Sequence, residues 1–266
     1  GAIPLFYLPE ETSANATANI DELQSGTVSG VSAVTGAGIK ITIFDAGRIQ
    51  DTHEQFTTGR AVNKEASTQA KHYHGTNVNS ILIGNGTATG NFTQSSVSYP
   101  KANAKGILPL ATTDNYMYAA TTIDGTIQNN YQKLASLPNL NISNHSYGVN
   151  VGWQLSGNAY YWIGNYELNH QDTYSGAYYE NDYNFDKIVY AQPQQIIVKS
   201  TGNYYGIGPG VNSTKYKYST ATNSWIPFAA DDEIPPANCS LGYNCIGYGS
   251  LAKNIITVGA VNQLTT

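Results

Sequence analysis

Five short segments rich in β-branched and apolar residues recur along the chain, with stretches long enough for helices between them. The predicted strands are residues 39–44, 105–110, 139–145, 196–198 and 255–258. Helices are predicted over residues 14–23, 75–82, 122–134 and 185–191. Strands joined by helical crossovers form a mainly parallel sheet with helices on both faces, so the sequence predicts an α/β fold.

The domain organisation predicted from this pattern is simple. Residues 1–34 are polar and weakly patterned, which is typical of an extended N-terminal arm, and residues 35–266 form one domain. Two stretches, residues 149–183 and 202–253, do not follow the alternation of strand and helix. Loops of such length are usually functional or contain structure of their own.

Composition excludes several classes of protein. Charged residues make up 12% of the chain and the net charge is −5, whereas a disordered chain driven by charge needs few aromatics and a high net charge. An acidic chain is also a poor partner for nucleic acid. No run of about 18 apolar residues occurs, so no membrane span is expected.

The only two cysteines indicate the compartment. Cys239 and Cys245 are six residues apart, near Pro235, Pro236 and Gly242. This spacing suits a small loop closed by a disulfide in an oxidising environment, and two unreactive buried thiols are the alternative. The disulfide favours a secreted or cell-surface location.

Three polar residues occur where the predicted elements place catalytic groups. Asp45 directly follows the first predicted strand, His74 stands at the start of a helix and Asn203 follows the fourth strand. Each of them alone is more typical of a turn or a loop. Together, a carboxylate can orient an imidazole, the imidazole can take a proton from a hydroxyl nucleophile, and an amide can stabilise the oxyanion.

These residues lie in five motifs that resemble those of the subtilisin-like serine peptidases, in the order of that family. The motifs are Ile43-Phe44-Asp45-Ala46-Gly47 followed by His53, His74-Gly75-Thr76-Asn77-Val78, Ser143-Asn144-His145-Ser146-Tyr147-Gly148, Ser200-Thr201-Gly202-Asn203, and Ile255-Ile256-Thr257-Val258-Gly259-Ala260-Val261. The resemblance implies a subtilisin-like fold over residues 35–266.

The resemblance also implies roles for individual residues. Asp45 is the orienting carboxylate, His74 the general base and acid, and Asn203 the oxyanion donor. The segment formed by Ser146, Tyr147 and Gly148 binds extended substrate. The function implied is an extracellular serine endopeptidase that hydrolyses polypeptides with no cofactor in the chemical step.

The sequence departs from the family's pattern at two points. Asn77 stands where the family has a second histidine, at a supporting position. No Gly-Thr-Ser motif occurs, so the nucleophilic serine is absent from this chain. We expect that serine in a bound C-terminal fragment or in a continuation beyond Thr266. The alternative is a catalytically inactive protein of the same fold that binds partners or assembles through its tyrosine-rich loops.

Two loop features have two interpretations each. The tyrosine- and tryptophan-rich stretch within residues 149–183 either walls the substrate groove or packs against its own domain. The run Asp231-Asp232-Glu233 either binds a structural Ca²⁺ ion or forms a solvated acidic turn.

Overall fold

The computed structural model describes residues 15, 18–56, 59–87, 90–94, 96–100, 105–242 and 245–261 of the 266-residue chain. These residues form two compact units, the first within Gly1–Asn144 together with the residues after Gly259, and the second within His145–Gly259. Both units combine strands with helices, which confirms the α/β class. Part of the helix predicted over residues 14–23 lies outside the described residues.

The first unit is built around parallel strands. Its elements are α1 (Ile20–Ser25), β1 (Lys40–Asp45), β2 (Ala61–Asn63), α2 (Tyr73–Ile83), β3 (Asn91–Gln94), β4 (Val97–Pro100), β5 (Thr112–Met117), β6 (Thr121–Ile123), β7 (Thr126–Gln128), α3 (Asn130–Ala135) and β8 (Asn141–His145), whose last residue begins the second unit. The strands β8, β1, β5 and β2 lie side by side in that order. Both β1 and β2 pair with β5 in parallel. The last five residues of β1 are buried, because a central parallel strand is covered on both faces.

The strand predicted over residues 105–110 is wrong, since the next strand of the sheet is β5. The N–H groups of Ile107 and Leu108 instead donate to carbonyls at the end of α2, at 2.9 and 2.7 Å. Leu108 packs against the buried core of the unit. The more polar β5 enters the sheet because the side chains of Thr113 and Asn115 are buried with hydrogen-bond partners.

The helix predicted over residues 122–134 is also wrong in its first half. Strands β6 and β7 form an antiparallel hairpin there, joined by Asp124 and Gly125. Both turn residues have positive φ, 49° and 79°, and an Asp-Gly pair is a preferred two-residue hairpin turn. Helix α3 begins only after Asn129, which forms a capping box with Gln132.

The second unit contains the two stretches that did not fit the alternation. Its elements are β9 (Trp153–Ser156), β10 (Ala159–Trp162), α4 (Tyr166–Asn169), α5 (Glu180–Ala191), β11 (Gln195–Ser200), β12 (Thr214–Ser219), β13 (Ser224–Pro227) and β14 (Ile256–Val258). Strands β11 and β14 are parallel, which confirms the strands predicted over residues 196–198 and 255–258. The helix predicted over residues 185–191 is the second half of α5.

A separate sheet gives these long stretches a core of their own. Its strands lie in the order β13, β12, β10 and β9, and β10 pairs with β12 in parallel. Trp153 and Trp162 are fully buried beneath it, with ring centroids 5.3 Å apart. Tyr166 and Phe228 complete the cluster, at 5.1 Å from each other.

Candidate active site

Asp45 is held rigidly at the carboxyl end of β1. It lies opposite Met117 of β5 in the parallel ladder and is 2% exposed. One carboxylate oxygen accepts the N–H of Ala46 at 2.7 Å, and the carbonyl accepts the N–H of Tyr118 at 2.9 Å. Reactive groups collect at this end of the strands in parallel sheets.

His74 lies against this carboxylate, inside the first turn of α2 rather than before the helix. Its Nδ1 is 2.9 Å from each carboxylate oxygen of Asp45. The His74 side chain is 44% exposed, whereas that of Asp45 is 3% exposed. A neutral imidazole that donates from Nδ1 to this carboxylate has the lone pair on Nε2. Within the described part of the chain, Nε2 makes no hydrogen bond, so it is placed to accept a proton.

Two glycines allow the chain to bring these residues together. A Cβ at Gly47 would lie 2.8 Å from the Cβ of His72, and a Cβ at Gly75 would lie 3.2 Å from the Cβ of Asp45. The His72 side chain caps α2 by accepting the N–H of His74 at 3.2 Å. A larger residue at Gly47 would clash with the segment before α2, and one at Gly75 would press α2 against Asp45 and Ile49.

A buried amide network fixes α2 on the sheet. The Asn79 side chain is fully buried and donates to the carbonyl of Gly75 and to Oδ1 of Asn115, both at 2.7 Å. Its own oxygen accepts the Thr113 hydroxyl at 2.6 Å. Because these partners are on β5 and in the first turn of α2, the network sets the rotation of the helix that carries His74.

In the second unit, the predicted substrate-binding segment is tied to β11. Ser146, Tyr147 and Gly148 directly follow β8. The ammonium group of Lys199 on β11 donates to the Tyr147 carbonyl and lies 4.6 Å from the centroid of the Tyr147 ring. The Tyr147 hydroxyl is hydrogen-bonded to Nδ1 of His145 at 2.9 Å. The segment is therefore held from both its backbone and its side chain.

Asn203 follows β11 and is exposed. The Tyr204 hydroxyl donates to the carbonyl of Val149 at 2.5 Å, which joins the Asn203 segment to the predicted substrate-binding segment. Gly202 has a φ of 112°, and a Cβ there would lie 2.5 Å from the Tyr204 ring. The Asn203 amide has no hydrogen bond to any residue that the structure describes, so its N–H groups are available to a ligand.

The predicted site residues therefore form two groups. Asp45 and His74 form one in the first unit, and the segment ending at Gly148 forms another with Asn203 in the second unit.

Burial changes the pKa values of two side chains near the predicted substrate-binding segment. It lowers the pKa of Lys199 to about 8, and the carboxylate of Asp182 opposes that change. Burial, together with the positive charge of Lys199, lowers the pKa of His145 to about 3, so this histidine is neutral near pH 7. Asp182 itself is buried and accepts the backbone N–H groups of Tyr179 and Gly249, at 2.9 and 2.8 Å.

Asn79, Lys199 and Tyr204 were not identified from the sequence. Lys199 did leave a signal, because a lysine directly after the apolar residues of a predicted strand needs a buried partner. Asn79 and Tyr204 left none, since their partners are distant in sequence.

Two further predictions concern the cysteines and the acidic run of the second unit. Cys239 and Cys245 form a disulfide, as predicted. Within the acidic run, Asp232 accepts from the Lys217 ammonium group at 2.5 Å and from the N–H of Ala229 at 2.6 Å. Among the described residues, no group of three or more potential ligands is arranged to hold a metal ion.

The aromatic stretch divides between core and surface. Trp153 and Trp162 are fully buried in the second unit, whereas Tyr174, Tyr178 and Tyr179 are exposed. The rings of Tyr174 and Tyr179 contact each other, with centroids 5.1 Å apart. Packing against the unit's own core therefore accounts for the tryptophans and leaves these tyrosines at the surface.

A comparison with models of known protein families found no match, and a search of curated proteins found none either. In the part of the chain that the structure describes, every helix is too short or too polar to cross a membrane. Motifs and site geometry are therefore the basis on which a function can be assigned.

Proposed function

We propose that this chain is the part of a secreted, subtilisin-like serine endopeptidase that carries the aspartate and the histidine of its catalytic triad. The observation that carries the proposal is the hydrogen bond from His74 to Asp45 at the carboxyl end of a buried parallel strand. A buried carboxylate bound to Nδ1 of a half-exposed histidine is the arrangement that makes Nε2 a general base.

In the proposed reaction, Nε2 of His74 takes the proton of a serine hydroxyl as its oxygen attacks the peptide carbonyl. Asp45 keeps the imidazole in the required tautomer and stabilises the imidazolium. The resemblance to the subtilisin-like peptidases gives the role of oxyanion donor to Asn203. His74 then gives its proton to the leaving amine, and water hydrolyses the acyl-enzyme by the same route. No cofactor takes part in the chemical step.

The serine is the component that this sequence does not supply. Since no Gly-Thr-Ser motif occurs among the 266 residues, we place the nucleophile on a bound fragment or a continuation of the chain. The disulfide supports a secreted or cell-surface location, because such bonds persist in oxidising compartments.

Labelling with a fluorophosphonate probe tests this proposal, using the purified natural protein with any polypeptide that co-purifies. We expect the probe on a serine outside this sequence, and we expect labelling to be lost in H74N. The matched variant H53N should label normally, because the His53 side chain accepts the N–H of Gln55 and packs against Phe56, and makes no hydrogen bond to Asp45 or His74.

Peptide mass mapping identifies the labelled serine. Label on a serine within residues 1–266, or equal labelling of H74N and H53N, would contradict the proposed site. No label at all would favour a binding or assembly protein that uses the exposed tyrosines of the second unit.

A further inference from the structure

The sequence contains seven Asn-x-Ser/Thr motifs, which are the acceptor motif for N-linked glycosylation. A chain this rich in asparagine generates such motifs by chance, so the motif alone does not identify a modified residue. The structure separates them, because a glycosyl transferase needs an asparagine amide that is accessible and not already bound to the protein. The seven asparagines are Asn15, Asn85, Asn91, Asn141, Asn144, Asn212 and Asn238.

Three of these asparagines are held inside the fold. Asn238 is 1% exposed, and its amide group donates to the carbonyl of Trp153 at 2.9 Å while its oxygen accepts the N–H of the same residue. Asn141 and Asn144 lie in β8, whose backbone is paired within a sheet, and the Nδ2 of Asn141 is inaccessible to solvent. A glycan on any of the three would have to disrupt the packing around it.

Two further asparagines use the amide that a transferase would need. The Nδ2 of Asn85 donates to the carbonyl of Glu54 at 3.2 Å, and the Nδ2 of Asn91 donates to the hydroxyl of Ser98 at 3.0 Å. The motif that begins at Asn15 lies partly outside the described residues. These amides are therefore not the ones that the structure singles out.

Asn212 differs from the other asparagines. It is exposed, and its side chain makes no hydrogen bond within the part of the chain that the structure describes. It lies in a surface turn directly before β12, in which the N–H of Ser213 donates to the carbonyl of Gly210 at 3.1 Å. Val211 beside it is 94% exposed, and Thr214, which completes the motif, is also exposed. An exposed loop is the context in which this motif is functional.

We propose that Asn212 carries an N-linked glycan in the natural protein. The new bond joins the Nδ2 of Asn212 to the anomeric carbon of a sugar. The donor is a lipid-linked oligosaccharide, whose bond between that carbon and a phosphate oxygen breaks. The lipid phosphate leaves with the bonding electron pair, and one amide proton is released. The proposal rests on the secreted location proposed above and uses neither Asp45 nor His74.

Peptide mass mapping of the protein purified from the organism that makes it tests the proposal. Electron-transfer fragmentation keeps glycans attached to the peptide and so identifies the modified residue. We expect a glycan on Asn212 and none on Asn238, which has the same motif and is the internal control. An unmodified Asn212, or a glycan on Asn238, would overturn the proposal.

Three variants produced in the same organism test the motif itself. N212Q and T214A should lose the glycan completely, because the first lacks the acceptor amide and the second lacks the hydroxyl that completes the motif. S213A keeps the motif and should keep the glycan. A glycan that persists in T214A, or one lost equally in S213A, would contradict the assignment.

Two independent measurements separate this proposal from the proposed function. Fluorophosphonate labelling should be equal in N212Q and in the wild type, since Asn212 takes no part in the proposed reaction. Cell fractionation reports the location of the protein. An unmodified Asn212 in a protein recovered outside the cell would overturn the glycan and leave the secreted peptidase standing.

Discussion

The ammonium group of Lys133 lies 2.8 Å from the carboxylate of Glu65, and the two side chains are 0% and 1% exposed. Lys133 also donates to the carbonyls of Met117 and Ala119, and Glu65 accepts the hydroxyl of Thr121. This ion pair therefore fixes the end of β5. Tyr118, the residue directly after β5, donates its N–H to the carbonyl of Asp45.

K133M should strongly destabilise the protein, because it leaves the Glu65 carboxylate buried without its counter-charge. We expect the free energy of unfolding in urea to fall by about 3–5 kcal/mol. The control is K40M, which breaks the more exposed ion pair with Asp114 and should cost less than about 1 kcal/mol. Equal losses in the two variants would show that the buried pair is not structurally important.

D45N should abolish most peptidase activity without unfolding the protein. An asparagine cannot hold His74 in the same tautomer, so we expect kcat to fall about 10⁴-fold. The measurement is hydrolysis of a chromogenic peptide by the complete protein that contains the nucleophile. D21N, in exposed α1, is the control, and a D45N enzyme as active as D21N would rule out the triad.

G75A should move α2 away from Asp45. The new Cβ would lie 3.2 Å from both the Asp45 Cβ and the Ile49 side chain. We expect a loss of about 1–3 kcal/mol in unfolding free energy and a lower kcat. G259A places its Cβ no closer than 3.9 Å to a neighbour and is the matched control. Normal stability and normal kcat in G75A would contradict the close contact between helix and strand.

Stability should fall on acidification because of His145. Its pKa is lowered from 6.5 to about 3 in the folded protein, mainly by burial. Below pH 6.5 the unfolded chain binds a proton that the folded chain does not, so the free energy of unfolding decreases as pH falls from 6.5 towards 3. The slope for one proton approaches about 1.4 kcal/mol per pH unit.

Urea unfolding from pH 7 to pH 4 measures this slope. H145N should have a smaller slope than the wild type. Identical slopes for H145N and wild type would show that His145 titrates normally.

Y204F should loosen the connection between the Asn203 segment and the predicted substrate-binding segment. The variant removes the hydrogen bond to the Val149 carbonyl, so we expect a loss of about 1 kcal/mol in stability. In assays of the proposed peptidase activity we also expect a higher KM for peptides. Tyr205 is 87% exposed, and Y205F should change neither quantity. A Y204F variant that behaves like Y205F would contradict this role.

The sequence predicted those strands whose structure is determined by a local pattern of residues, and it missed those that depend on distant contacts. Strand β1 was predicted because its residues are apolar and β-branched, and Asp45 was located as the residue that ends it. Strand β5 was missed because two of its buried positions are polar, and side-chain hydrogen bonds to Asn79, to each other and to the Val62 carbonyl make them acceptable in the sheet. A pattern of hydrophobicity does not contain that information.

The same distinction holds for the site. His74 could be paired with Asp45 from their places at a strand end and a helix start. The side chains of Lys199 and Tyr204 donate hydrogen bonds to carbonyl groups 52 and 55 residues earlier in the chain. Such contacts arise only when the second unit has folded.

The parallel pairing of β10 with β12 can form only after all the residues between the two strands have been synthesised. Trp162, at the end of β10, and Thr214, at the start of β12, are separated by all of α5 and β11. Before β12 leaves the ribosome, β9 and β10 can form only a two-stranded hairpin, which is marginal in water. Trp153 and Trp162 therefore lack the cover of β12 and Phe228 on the nascent chain for that interval, and two apolar side chains are left open to contacts with other molecules.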